Sequence, residues 1–247
     1  MELTTLQYIT GAFSAWLVGL AKSGVPGATM VTIPLMADQF GAKVSVGLIL
    51  PTLITGDICA LLYYRRYAKW PLIIRVLPVT IIGVVIGWFL LGEISDILLK
   101  RSMGVLILAL LALRFALSRF TISGMKLARI FSMPVGVLAG ITTALANAAG
   151  PLITVYLLWS KIDKKEFVGT AAWFFFIVNC CKVPFFMHRD MITAETIPYN
   201  LLAIPLVVIG AASGIWALKR MNQKAFNGIV QLFAIAASVK LILSPII

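Results

Sequence analysis

Residues 11–36 read GAFSAWLVGLAKSGVPGATMVTIPLM, and residues 136–158 read GVLAGITTALANAAGPLITVYLL. Laid over each other without a gap, Gly11 falls on Gly136, Leu20 on Leu145, Pro26 on Pro151 and Thr29 on Thr154. Just beyond, Asp38 falls on Asp163. Each stretch is helix-like, breaks at a run of small residues and resumes after a proline. Irregular backbone at membrane depth must be buried in protein or line a cavity. Paired interruptions in corresponding positions of two halves are therefore a pointer to a transporter's binding site.

The rest of the chain supplies the membrane. It is 61% hydrophobic and 12% charged, with mean hydropathy +1.01. A soluble domain of this length needs far more polar surface. Eight apolar segments follow, at about 5–40, 44–64, 72–92, 103–119, 130–160, 167–187, 197–218 and 226–243; the first and fifth are the interrupted ones. The uninterrupted ones suit a hydrocarbon core about 30 Å thick. The expected fold is all-α: a polytopic helical membrane protein in the cell (inner) membrane. The first residues lack a charged n-region and a small-residue cleavage site, so no signal peptide is expected.

The net charge of +12 does not indicate nucleic acid. Lys and Arg fall in membrane loops, where positive-inside bias and anionic headgroups account for them. Cys59, Cys180 and Cys181 lie inside apolar segments without zinc spacing, and His188 has no acidic cluster beside it. Neither a metal, a cofactor nor a hydrolytic nucleophile–base pair is expected, so an enzyme is disfavoured. No GxxxxGK[ST] is present, so the chain carries no ATP site of its own.

The duplication runs further. Val46-Gly47 matches Val168-Gly169, Asp57 falls on Asn179, and Cys59 on Cys181. Pro78, Gly83 and Gly87 overlie Pro205, Gly210 and Gly214, with close helix packing as the reading of those four glycines. Lys100 and Gly104 overlie Lys224 and Gly228. Two repeats are expected at 1–120 and 130–247, joined by a cytoplasmic linker at 121–129.

Charge discriminates between two topologies. If each interrupted segment crosses once, the loop Lys and Arg divide nine to nine. If each dips in and returns, they divide fourteen to four, with only Lys43, Lys100, Arg101 and Arg189 on the poor side. The positive-inside rule favours the second, with the fourteen-charge side cytoplasmic and both termini outside. Each half is then a re-entrant hairpin plus three crossings, and the second half is inverted relative to the first. Length agrees, because one helix from Thr5 to Phe40 would span about 54 Å, too long for one crossing.

The breaks carry the chemistry. Pro26 and Pro151 are expected to open the second half-helices, since proline suits the first helical position. The N-termini so formed present free N–H groups and a positive dipole end to an anion. Gly24, Gly27 and Gly150 would let it approach the backbone, with Ser23, Asn147 and Ala149 beside them. Lys22 adds full charge at the first break; the alternative is that it pairs with Asp57 and fixes packing. Thr29 and Thr154 are candidate hydroxyl donors. Asp57 is a candidate proton carrier or a counter-ion to Lys22 or Lys182, and Lys182 is a secondary candidate ligand. Trp173 and Phe174-Phe175-Phe176 are packing residues by default, with a pathway lining as the alternative.

These residues resemble the TauE/SafE sulfite-exporter family over essentially the whole chain. Its first glycine-rich motif falls on Ser23, Gly24, Val25, Pro26 and Gly27, and its second on Asn147 to Pro151. Pro26 interrupts the first run, and Ala148-Ala149 dilutes the second. The resemblance implies secondary transport of sulfite, an organosulfonate or a similar small anion, proton-linked. An anion channel and a carrier for small carboxylates are the alternatives. The partners expected are the small anion and the lipid bilayer, with no nucleic acid; a homodimer is left open.

Overall fold

The computed structural model describes residues 4–90, 105, 108, 109, 112 and 124–243. Nine helices stand in those residues: α1 (Thr5–Ser23), α2 (Thr29–Phe40), α3 (Ala42–Tyr64), α4 (Trp70–Leu90), α5 (Gly124–Ala146), α6 (Gly150–Trp159), α7 (Lys164–His188), α8 (Ile197–Arg220) and α9 (Gln223–Leu243). No strand occurs among the described residues. Seven of the eight expected segments appear within a few residues of their expected bounds. The segment at 103–119 lies almost wholly outside the described residues. Residues 124–129, read as linker, form the first turns of α5.

Local chemistry sets the helix ends. Thr4 caps α1 through a reciprocal pair with Gln7, and Asp163 caps α7 through the same arrangement with Glu166. Gly41 precedes α3 without a side-chain cap. Pro51, Pro78, Pro134, Pro184 and Pro205 stand inside helices. Apolar membrane helices tolerate them because neighbouring groups satisfy the freed backbone.

Among the described residues, five helices are long and apolar enough to cross a membrane: Val44–Tyr67, Trp70–Leu90, Arg129–Ala146, Lys164–His188 and Ile197–Arg220. With an all-helical chain of this hydropathy, they make a multi-pass membrane protein. Both interrupted segments double back. The Gln7 side chain, at the start of α1, donates to the carbonyl of Gln39, at the end of α2, at 2.9 Å. Trp159, at the end of α6, sets its ring centre 5.0 Å from that of Phe131 near the start of α5, the two rings tilted.

Helix pairing follows the glycines. α1 packs along α8, and α4 along α5. A Cβ on Gly210 would lie 2.0 Å from the Trp16 carbonyl oxygen, and one on Gly83 would lie 2.2 Å from that of Val137. Gly214 and Gly87 repeat the approach one turn on, against Leu20 and Ile141. All four glycines are where close helix packing was expected. α3 runs beside α7 in the opposite direction: Gly47 of α3 meets the Met191 carbonyl just after α7, and Gly169 of α7 meets the Tyr64 carbonyl at the end of α3.

The bundle thus has two ends. Gln7, Gln39, Met191 and Tyr199 lie at one. Tyr67, Lys69, Lys164, Lys165, Glu166 and Leu218 lie at the other. There Lys69 pairs with Glu166 at 2.5 Å. The hydrogen bond and charge of that carboxylate lift the Lys69 ammonium above its ordinary range. Between the ends sits α6, buried from Pro151 to Trp159, as a helix apolar on every face must be.

Candidate functional site

α1 ends at Ser23, and residues 24–28 turn before α2 begins. Gly27 adopts φ +103, a region L side chains avoid. Pro26 therefore does not open α2 as expected; the left-handed Gly27 inserts a turn between it and Thr29. Pro151 does stand in the first turn of α6. Before it, Asn147 adopts φ 52, which asparagine tolerates better than most residues. A Cβ on Gly150 would lie 4.0 Å from Thr29 Oγ1 and near nothing else. The N-termini of α2 and α6 therefore face each other.

A cavity of about 60 Å³ lies at this junction. Of the residues singled out from sequence, Lys22, Pro26, Gly27, Thr29, Asn147, Gly150 and Thr154 line it. Ser23, Gly24, Ala149, Pro151, Asp57 and Lys182 do not; all six are buried. Gly24 has a packing role instead: a Cβ there would lie 1.9 Å from the Gly214 carbonyl oxygen. Thr143, Asn179 and Phe175 complete part of the wall. Trp173 lies off it, its ring centre 5.3 Å from that of Trp70 and tilted against it.

One hydrogen-bonded chain crosses from break to break. Lys22 Nζ is 2.7 Å from Asp57 Oδ1 and 4.3 Å from the centre of the Phe175 ring. Asn179 Nδ2 donates to Asp57 Oδ2 at 2.8 Å. Lys182 Nζ donates to Asn179 Oδ1 at 3.4 Å, to Thr143 Oγ1 at 3.1 Å, and to Asn147 Oδ1. Asn147 Nδ2 donates to the Val46 carbonyl at 2.8 Å. In the gap-free alignment Lys22 and Asn147 are equivalent positions, as are Asp57 and Asn179 in the wider one. Of these matched positions, Asp57 and Asn179 are hydrogen-bonded to each other, and Lys22 and Asn147 both line the cavity.

Asp57 and Lys182 are fully buried, while the Lys22 side chain keeps 10% of its surface. Lys22 therefore pairs with Asp57, as one reading of the sequence allowed, and also faces the cavity. Burying charges is tolerable only when they are paired and their remaining hydrogen-bond sites are filled. The arrangement brings two lysines and one aspartate together beside a mostly apolar cavity whose wall carries Lys22, Thr143, Asn147 and Asn179. It places no three His, Cys, Asp or Glu side chains where they could hold a metal, among the described residues.

Sequence reading missed Thr143 and gave Asn179 no role in the site. Thr143 sits four residues before Asn147, on the same helix face. Asn179 was visible as the repeat partner of Asp57, which placed it opposite that carboxylate if the halves met.

Long apolar helices around buried charges and a small cavity with a few polar groups on its wall fit a membrane protein of the transporter class. Residues 11–241 match the family described as sulfite exporter TauE/SafE. The chain belongs to that family, whose members are transporters and not enzymes. No curated protein and no solved structure matches it.

Proposed function

We propose that this chain is a secondary transporter of a small anion of the sulfite or organosulfonate type, bound in the cavity between the two helix breaks and moved with a proton. The observation that carries the reading is Lys22, an ammonium on the cavity wall beside two facing helix N-termini. Helix N-termini and a lysine both attract negative charge. Asp57 supplies the coupling. While ionised, it neutralises Lys22 across 2.7 Å. Once protonated, it releases the full lysine charge to an anion, so proton and anion favour each other's binding.

The two halves act as inverted repeats in this reading. Support comes from the reciprocal pairings, α1 with α8 and α4 with α5, and from Gly47 and Gly169 exchanging ends. The doubled-back segments act as re-entrant hairpins entering from opposite faces of the inner membrane. The end bearing Lys69, Lys164 and Lys165 faces the cytoplasm, by the fourteen-to-four division of loop charge.

Flux into proteoliposomes tests the whole. Sulfite or methanesulfonate should enter saturably and respond to an imposed pH gradient. Fast, non-saturating flux without pH response would make the protein a channel. Preference for acetate over both sulfur anions would make it a carboxylate carrier. No anion flux of any kind would end the reading.

A further inference from the structure

We infer that Lys182 is a positioning residue that turns the cavity wall into a surface of hydrogen-bond donors; this rests on the anion-transport reading. Lys182 does not touch the cavity. Its ammonium is fully buried and faces three oxygens: Thr143 Oγ1, Asn147 Oδ1 and Asn179 Oδ1. All three side chains line the cavity from its other side.

The consequence follows from what each group can still do. An ammonium has donors and no acceptor, so both amides must turn their oxygen toward it. Their nitrogens then point elsewhere, and the partners agree. Asn147 Nδ2 meets the Val46 carbonyl and Asn179 Nδ2 meets the Asp57 carboxylate, both at 2.8 Å. Each NH₂ has two hydrogens, so one N–H per amide remains. Thr143 Oγ1 accepts from Lys182, which leaves its own hydrogen to donate. Lys182 therefore occupies acceptors that would otherwise repel an anion, and leaves N–H and O–H groups for the cavity.

Charge points the same way. Lys22 and Lys182 face one carboxylate, Asp57, which bonds to Lys22 directly and to Lys182 through Asn179. With all three groups ionised, the cluster carries one positive charge in excess, which a bound anion would neutralise. Fixed donors in a low-dielectric site favour charge without reorganising, as in oxyanion holes. Asn147, just past the end of α5, keeps its N–H on the Thr143 carbonyl at 3.1 Å, and Asn179 and Lys182 share one face of α7, so Lys182 itself ties the second break to α7.

The test uses the full chain in detergent and in liposomes, with methanesulfonate as the probe. Lys182→Met should weaken methanesulfonate binding and raise its KM by about 10- to 150-fold, with turnover at saturation nearly unchanged. Thr143→Val should weaken binding by about tenfold, and the double variant should fall short of the product because both act through one network. A merely structural lysine would lower the thermal transition and the folded yield without moving the dissociation constant of the folded fraction. If Lys182→Met does not fold, Thr143→Val decides, since it leaves the lysine in place, adds no charge and removes the hydroxyl. It should fold and still lose about tenfold in methanesulfonate affinity. Wild-type affinity in a folded Lys182→Met, or in Thr143→Val, overturns the inference and leaves the transport reading standing. A wild-type protein that binds neither methanesulfonate nor sulfite overturns both.

Discussion

The two helix breaks occupy the same place in their halves and do different work. The first carries a charge, Lys22, held by Asp57 at 2.7 Å, and needs five residues with a left-handed Gly27 before its second helix begins. The second carries an amide, Asn147, itself left-handed, and restarts almost at once at Gly150-Pro151. Gly24 in the first is filled by a neighbouring backbone; Gly150 in the second opens on the cavity. The two breaks thus match in where the chain is interrupted more than in what the break offers. In the proposed reading, sharing one cavity would let one break specialise in charge and the other in hydrogen bonds.

The strongest blow to this asymmetry is Lys22→Ala. It should weaken anion binding by about 10- to 150-fold, and stranding Asp57 should cost about 3–5 kcal/mol of stability. Calorimetric titration and thermal unfolding read the two effects separately. Lys22→Ala with Asp57→Asn should regain much of the stability and none of the binding. If Lys22→Ala folds and binds as wild type does, charge does not reside at the first break.

Valine at the two small-residue positions comes next. Gly24→Val drives a side chain into the Gly214 carbonyl and should destabilise by about 3 kcal/mol or more, as severe overpacking does. Gly150→Val enters open space and should leave the melting temperature nearly unchanged while abolishing anion binding by filling the cavity. Equal destabilisation by both would mean that the second break is as tightly packed as the first.

Asp57→Asn sharpens the coupling. In the wild type, anion affinity should rise as pH falls, by about tenfold per pH unit over the range where one proton is taken up. The sign follows because protonation removes the carboxylate competing for Lys22. The asparagine variant should bind with little pH dependence, as anion titrations at a series of pH values would reveal. A pH slope that survives places the proton elsewhere.

The smallest effect compares the helices that follow the hairpins. α7 is capped by Asp163, whereas α3 opens at Gly41 without a side-chain cap. Asp163→Ala should lower stability by about 1 kcal/mol and leave anion affinity alone. A change in affinity would tie the cap to the site.

Much of the fold was legible because membrane helices announce themselves by length and apolarity. The breaks were legible too, since Lys22 to Gly27 and Asn147 to Pro151 interrupt long apolar runs with residues that helices use sparingly. What proline would do there was only half legible. Pro151 sits in the first turn of α6, but the conformation of Gly27 displaced Pro26 into a turn, and a glycine's φ is not written in its neighbours. Gly24 misled for a related reason: a missing side chain serves a ligand or a neighbouring helix equally well, and only the position of Gly214 decides. Lys22 and Asp57 drew attention as charges in apolar sequence. Thr143 did not, because threonine is ordinary in a helix and gains importance only when Lys182 arrives from another one.

The glycine seams have one further consequence. Where α1 meets α8 and α4 meets α5, main chain lies against main chain with no side chains between to slide or repack. Under the transport reading proposed above, such pairs would move as rigid bodies. Each pair joins a helix from the first half of the chain to one from the second, so a carrier built this way would not rock its first half against its second. It would rock two mixed bodies past the α3–α7 pair, and neither half of the gene would encode a moving part on its own.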